Sequence, residues 1–205
     1  LIHGYDEESS ATAKKTLILI GASDSVMIVG IAIIWKITGS LSMDSISVPT
    51  SGALSIVAFL ALLTGSFTKA GAFPFHTWVP DYAKSAPASS SAYLPASLDK
   101  LLGIYFLARI TTCMFVLSEP MTFLLLSTGV ITIIIAVMMA LNQHNYKRLL
   151  GFHAVSQVGY MILGFSLGSM IGVAAGLFHM INHALYKSGL FLSAGSIEFR
   201  TGKEN

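Results

Sequence analysis

The chain has 205 residues, of which 54% are hydrophobic and only 11% charged, and its mean hydropathy is +0.72. That composition excludes a soluble domain and places the chain in a bilayer. A net charge of +2 is too small to point to nucleic acid or an acidic substrate, and the single cysteine, Cys113, excludes an internal disulfide or a cysteine-built metal cluster.

The first fifteen residues, LIHGYDEESSATAKK, place acids ahead of lysines and contain no apolar core. They match neither a signal peptide nor a natural start, so the chain is expected to be an internal piece of a larger subunit. Residues 16–35 form a first predicted span of 20 residues, flanked by Lys14, Lys15 and Lys36, the length needed to cross a hydrocarbon core. Asp24 lies near its middle, where a carboxylate must face a partner helix or a water-filled cavity. The alternative is a hydrogen-bond partner for a Ser or Thr of a neighbouring helix.

Residues 38–50 are polar and Ser-rich and read as a surface connection, with room for one short helical turn. A second span, residues 51–67, runs into Lys69 and is interrupted by Gly71, Pro74 and Pro80. An ionisable group at membrane depth costs about 2.5–3.5 kcal/mol at a helix centre, and broken helices are tolerated only where they line a cavity or are buried in protein. The segment is therefore expected to carry ion traffic. Trp78 and Tyr82 suit a membrane–water boundary, and residues 85–91 read as a loop.

The third span, residues 92–109, has Pro95 in its first turn, where it costs little. It also carries Asp99 and Lys100, which as helix neighbours point about 100° apart and are expected to face different partners. The fourth span, residues 121–141, holds no charge and reads as packing. The fifth, residues 149–165, places His153, Ser156, Gln157 and Tyr160 on one face. That stripe is expected to point inward, either to a conducting path or to a hydrogen-bonded helix interface.

The sixth span, residues 169–196, is preceded by Gly168, which with Gly172 and Gly176 forms a small-residue ridge for close helix contact. His179, His183 and Lys187 follow at i, i+4 and i+8, a file about 12 Å long on one face. Titratable groups in lipid read as a proton relay. A metal site is the competing reading, but no acid accompanies the histidine pair and no third ligand is evident.

Six spans put both ends on one side, together with Lys14, Lys15, Lys84, Lys147, Arg148, Arg200 and Lys203; Lys36 and Arg109 fall on the other. The positive-inside bias makes the first side, and both ends, cytoplasmic. No phosphate-cradling loop, cysteine cluster or nucleophile–base arrangement is present. The expectation is an ion-translocating chain, a single transmembrane domain over residues 1–205, with no cofactor of its own.

Four blocks in order, FTKAGAFPFHTWVPDYAKSAPA, SAYLPASLDKLLGIYFLAR, YKRLLGFHAVSQVGYMILG and GLFHMINHALYKSGLFLSAGSI, resemble the antiporter-like proton-pumping subunits of respiratory complex I, membrane-bound hydrogenases and Mrp-type sodium/proton antiporters. The resemblance implies an all-α membrane protein, with about six transmembrane helices including a broken helix, that is part of a 14-helix inverted-repeat fold. It implies Lys69 as the lysine beside the first broken helix, Asp24 as the acid of the preceding helix, and His179, His183 and Lys187 as a central relay. Asp99 and Lys100 join these as candidates for proton translocation.

Two departures stand out from this pattern. Pro95 occupies the place of a family histidine, and Lys100 stands one position before the usual lysine, where this chain has Leu101. The implied function is proton translocation, with sodium as a second candidate ion, driven by redox chemistry in partner membrane subunits. The alternative is an Mrp-type sodium/proton antiporter subunit without redox partners.

Overall fold

Hydrophobic segments of membrane-spanning length must satisfy their backbone internally, and here they do so as helices. The computed structural model describes residues 7–202. In chain order the elements are α1 (Glu7–Thr38), β1 (Val48–Pro49), α2 (Ala53–Ala70), α3 (Trp78–Ser85), α4 (Ala88–Tyr93), α5 (Asp99–Arg109), β2 (Phe115–Val116), α6 (Glu119–Leu141), α7 (Tyr146–Ser166) and α8 (Met170–Thr201). α1 outruns the predicted span because Glu7 and Glu8 occupy its first turn and Lys36 its last, charges that complement the helix dipole.

Two sets of contacts define the ends of the molecule. At one, β1 pairs in parallel with β2 in the register Val48↔Phe115 and Pro49↔Val116, and Arg109 meets Asp44 at 2.8 Å. At the other, Lys84 pairs with Glu8, Lys15 with Asp81 at 2.7 Å, Arg148 with the same Asp81 at 3.4 Å, and Lys147 with Glu198 at 3.1 Å. The chain therefore makes six traverses between these ends, and the start of α1 lies at the same end as the finish of α8. Lys203, expected at that end, lies outside the described residues.

Four of the traverses are long and apolar enough to cross a membrane: α1, the α2–α3 segment Ala53–Ser85, α6 and α7. The other two fall short for different reasons. The third is not the single helix expected over residues 92–109, because π-helical turns at Leu94–Leu98 and Ile110–Met114 bracket α5. The sixth, α8, has 32 residues, but its His179, Asn182, His183 and Lys187 lower its hydropathy.

The core is built on α2, α5 and α7, with Phe59, Leu62, Leu107, Met161 and Phe165 buried. α5 crosses α2 backbone to backbone at Gly103, where a Cβ would run into Ala70 and the Ser66 carbonyl; Ser66 Oγ donates to Gly103 O at 2.8 Å. Of the expected glycine ridge, Gly172 and Gly176 face Gly164 of α7, whereas Gly168 lies in the preceding turn at φ +60°.

Two further expectations are corrected. Trp78 and Tyr82 are core residues, 1% and 2% exposed, because the break folds α3 back against α7 and α1. Their polar atoms are met inside, the Trp78 indole by Thr68 O at 2.9 Å and the Tyr82 hydroxyl by Ser90 Oγ at 2.7 Å. Residues 85–91 are not all loop, since Pro87 at φ −54°, ψ 144° starts α4 at Ala88.

Candidate functional site

The site begins where α2 stops. Gly71 takes the left-handed conformation at φ +76°, open to glycine at little cost. Its N–H and that of Ala72 both donate to Phe67 O at 2.8 Å. A helix end leaves carbonyls without intrahelical donors, and tertiary contacts supply them here: the Trp78 indole reaches Thr68 O and Lys100 Nζ reaches Ala70 O at 2.9 Å. Beyond the cis Phe73–Pro74 bond the chain re-enters helix, with Phe73 N–H anchored on Thr132 Oγ1 of α6 at 3.2 Å.

Lys69 sits in the last turn of α2 and meets Asp24 of α1 at 2.6 Å. The two side chains are 24% and 39% exposed, and Asp24 Oδ1 is buried without an aligned hydrogen bond. The contact is thus a close charge pair without hydrogen-bond alignment. Lys100 is 2% exposed. Asp99 is half-buried, lies within electrostatic reach of Lys69 and Lys100, and makes no ion pair among the described residues.

On α8 the expected file is present. His179 Nε2 and Gln157 Oε1 share a hydrogen bond of 2.9 Å, the His179 and His183 rings are 6.3 Å apart, and the His183 ring lies 5.3 Å from Tyr186. His183 and Lys187 are 1% and 2% exposed, and His183 Nε2 has no hydrogen-bond partner. His183 lies within electrostatic reach of Lys100, Lys187 and His179, so α5 and α8 bring their groups together. Among the described residues no three His, Cys, Asp or Glu gather as metal ligands would.

The polar stripe of α7 lies along α8, with Gln157 bonded to His179 across the helix interface at 2.9 Å and the Tyr160 ring against that of His179. Only Ser156 is buried; His153 and Tyr160 are exposed and Gln157 is half-buried. α7 spends its inward arc on Phe152, Val155, Val158, Ile162 and Phe165, packed against α3, α5 and α6. The stripe is left on the arc beside α8.

Two features lie beyond the reading of the sequence. His76, between Pro74 and Pro80, is 5% exposed with neither ring nitrogen partnered, and it lies within electrostatic reach of Lys15, Lys100 and Asp81. Its position between two helix-breaking prolines is the available signal. Lys147 is 3% exposed and pairs with Glu198; no local pattern joins residues so far apart in the chain.

The family described as "NADH:quinone oxidoreductase/Mrp antiporter, TM" matches residues 1–205. A Na(+)/H(+) antiporter subunit of Alkalihalophilus pseudofirmus is 34% identical, over 97% of this chain and 27% of its own length. An F(420)H(2) dehydrogenase subunit of Methanosarcina mazei is 33% identical, over 96% of this chain and 33% of its own. A chain of the archaeal membrane-bound sulfane sulfur reductase superposes with a TM-score of 0.89 at 29% identity, over 98% of this chain and 42% of that one. The chain thus spans about a quarter to a third of the length of these curated relatives.

Proposed function

The chain belongs to the NADH:quinone oxidoreductase/Mrp antiporter transmembrane family, and from that membership we propose that this multi-pass chain carries protons across the membrane as part of a larger subunit in a redox-driven, multi-subunit complex. The observation that carries the reading is the sequence of groups running from Asp24 and Lys69 at the break, past Asp99 and Lys100, to His183, His179 and Lys187.

A nearby carboxylate favours a charged lysine and low dielectric favours a neutral one, so a lysine with a movable acid alternates between the two. Lys69 takes up a proton while Asp24 is close. When the pair separates, the proton moves through water and His179 or His183 to Lys187. Coupling of about 1–3 kcal/mol between such sites is the usual scale. The end that gathers Lys14, Lys15, Lys84, Lys147, Arg148 and Arg200 is the cytoplasmic one by the positive-inside rule.

The test is proton uptake by vesicles containing the complete complex, with Lys69→Ala beside the wild type. Loss of uptake in an assembled complex is expected; wild-type uptake would sink the role of Lys69. The same vesicles separate the two relatives' modes. Uptake that needs an electron donor supports the redox-driven reading, and uptake driven by an imposed sodium gradient alone supports exchange.

A further inference from the structure

Among the described residues, Lys100 is the one lysine or arginine that donates to the carbonyls ending α2. Phe67 O is taken by backbone N–H groups and Thr68 O by an indole and the Gly71 N–H, whereas Ala70 O is held by the buried Lys100 Nζ at 2.9 Å. We propose that Lys100 is a positioning residue: by capping the end of α2 at Ala70 it fixes where the adjacent Lys69 meets Asp24. The proposal rests on the reading of Lys69 as the proton carrier.

The placement of Lys100 is built into the packing. α5 is pinned to α2 by the backbone approach at Gly103 and by the Ser66–Gly103 hydrogen bond. Lys100 lies one turn before that pin, and one turn of α5 carries its ammonium to the end of α2. The ammonium group packs against the cap residue, since a Cβ on Gly71 would lie in ordinary contact with Lys100 Nζ at 3.5 Å. From position 101 the side chain would leave α5 about 100° further round; the one-residue displacement noted in the sequence aims Lys100 at the break.

The energetics agree in sign. A cation at a helix C-terminus is favoured by the dipole, and a hydrogen bond to a charged group contributes more than a neutral one. Both offset the burial of Lys100. The consequence falls on Lys69, which is bonded directly to Ala70. Its contact with Asp24 is short but not aligned as a hydrogen bond, so a small rotation of the last turn of α2 changes the separation of the pair.

The experiment uses the complete complex in vesicles, with Lys100→Met and Lys100→Arg beside Lys69→Ala. Two quantities are read: proton uptake and backbone amide exchange over residues 71–77, with α6 as the internal reference. Lys100→Met is expected to speed exchange over residues 71–77 by about tenfold, leave α6 unchanged and lower uptake to a similar degree. Lys100→Arg, which keeps a cationic donor, is expected to bring both back to within about threefold of wild type. Slowed uptake with unchanged exchange in Lys100→Met would overturn the proposal and leave Lys100 as a carrier only, as would Lys100→Arg restoring exchange but not uptake. If Lys69→Ala transports normally, the carrier reading fails separately, and the exchange data still decide the cap.

Discussion

The second and the sixth traverses both bring charge to membrane depth, and they do so in opposite ways. The second breaks its helix and gives its lysine and its freed carbonyls partners, Asp24 for Lys69 and Trp78 and Lys100 for the carbonyls, while its buried His76 keeps unpartnered ring nitrogens. The sixth stays an unbroken helix of 32 residues, leaves His183 Nε2 buried without a hydrogen bond, and buries Lys187, at 2% exposed, without an ion pair among the described residues. The broken segment has the features of a switch with defined partners. The intact helix is a conduit whose groups wait for water or a moving proton.

The sharpest test of this contrast is to remove one lysine from each. Lys69→Ala and Lys187→Leu are both expected to abolish most of the proton uptake by the complete complex. Their stabilities should diverge. Loss of Lys69 leaves Asp24 unpaired and is expected to cost about 1 kcal/mol, the pair being partly exposed. Loss of Lys187 removes a buried cation that has no partner among the described residues and is expected to leave the thermal unfolding temperature unchanged or raised. A destabilised Lys187→Leu would show that Lys187 itself is paired and would break the contrast.

Smaller effects bear on the break alone. Gly71→Ala puts a Cβ into left-handed backbone, about 2.5 Å from Val79 Cγ2, and is expected to destabilise by about 1–3 kcal/mol, seen as a lower unfolding temperature. Trp78→Phe removes the indole donor to Thr68 O, leaving it the Gly71 N–H, and is expected to cost about 0.5–1.5 kcal/mol, with faster amide exchange near residue 71. His179→Gln should change stability by less than about 0.5 kcal/mol, because an amide also bonds Gln157. Its uptake should fall only a few-fold if His183 carries the main path.

Most of the architecture is legible in the sequence because membrane burial makes composition decisive. Five of the six traverses lie where uninterrupted apolar runs, or the Gly71–Pro74 break, place them. The interruption of the third is hidden, because a proline in a first turn reads as harmless and a π-helical turn leaves no composition signal. Trp78 and Tyr82 read as interfacial through a statistical preference, which fails once a break turns the following helix inward. The α8 file is readable because its spacing is local. The destinations of Lys100 and of the α7 stripe depend on which helices pack together, which no local spacing contains.

The parallel pairing of Val48–Pro49 with Phe115–Val116 is only two residues long, yet it has a mechanical consequence. It rivets the connection after α1 to the connection before α6, and the Arg109–Asp44 contact reinforces the joint. The helices meeting there are tied to one another at that end through their connections. At the far end Asp81, shared between Lys15 and Arg148, ties α3 to α1 and α7 in turn, so the broken segment is anchored at both of its ends.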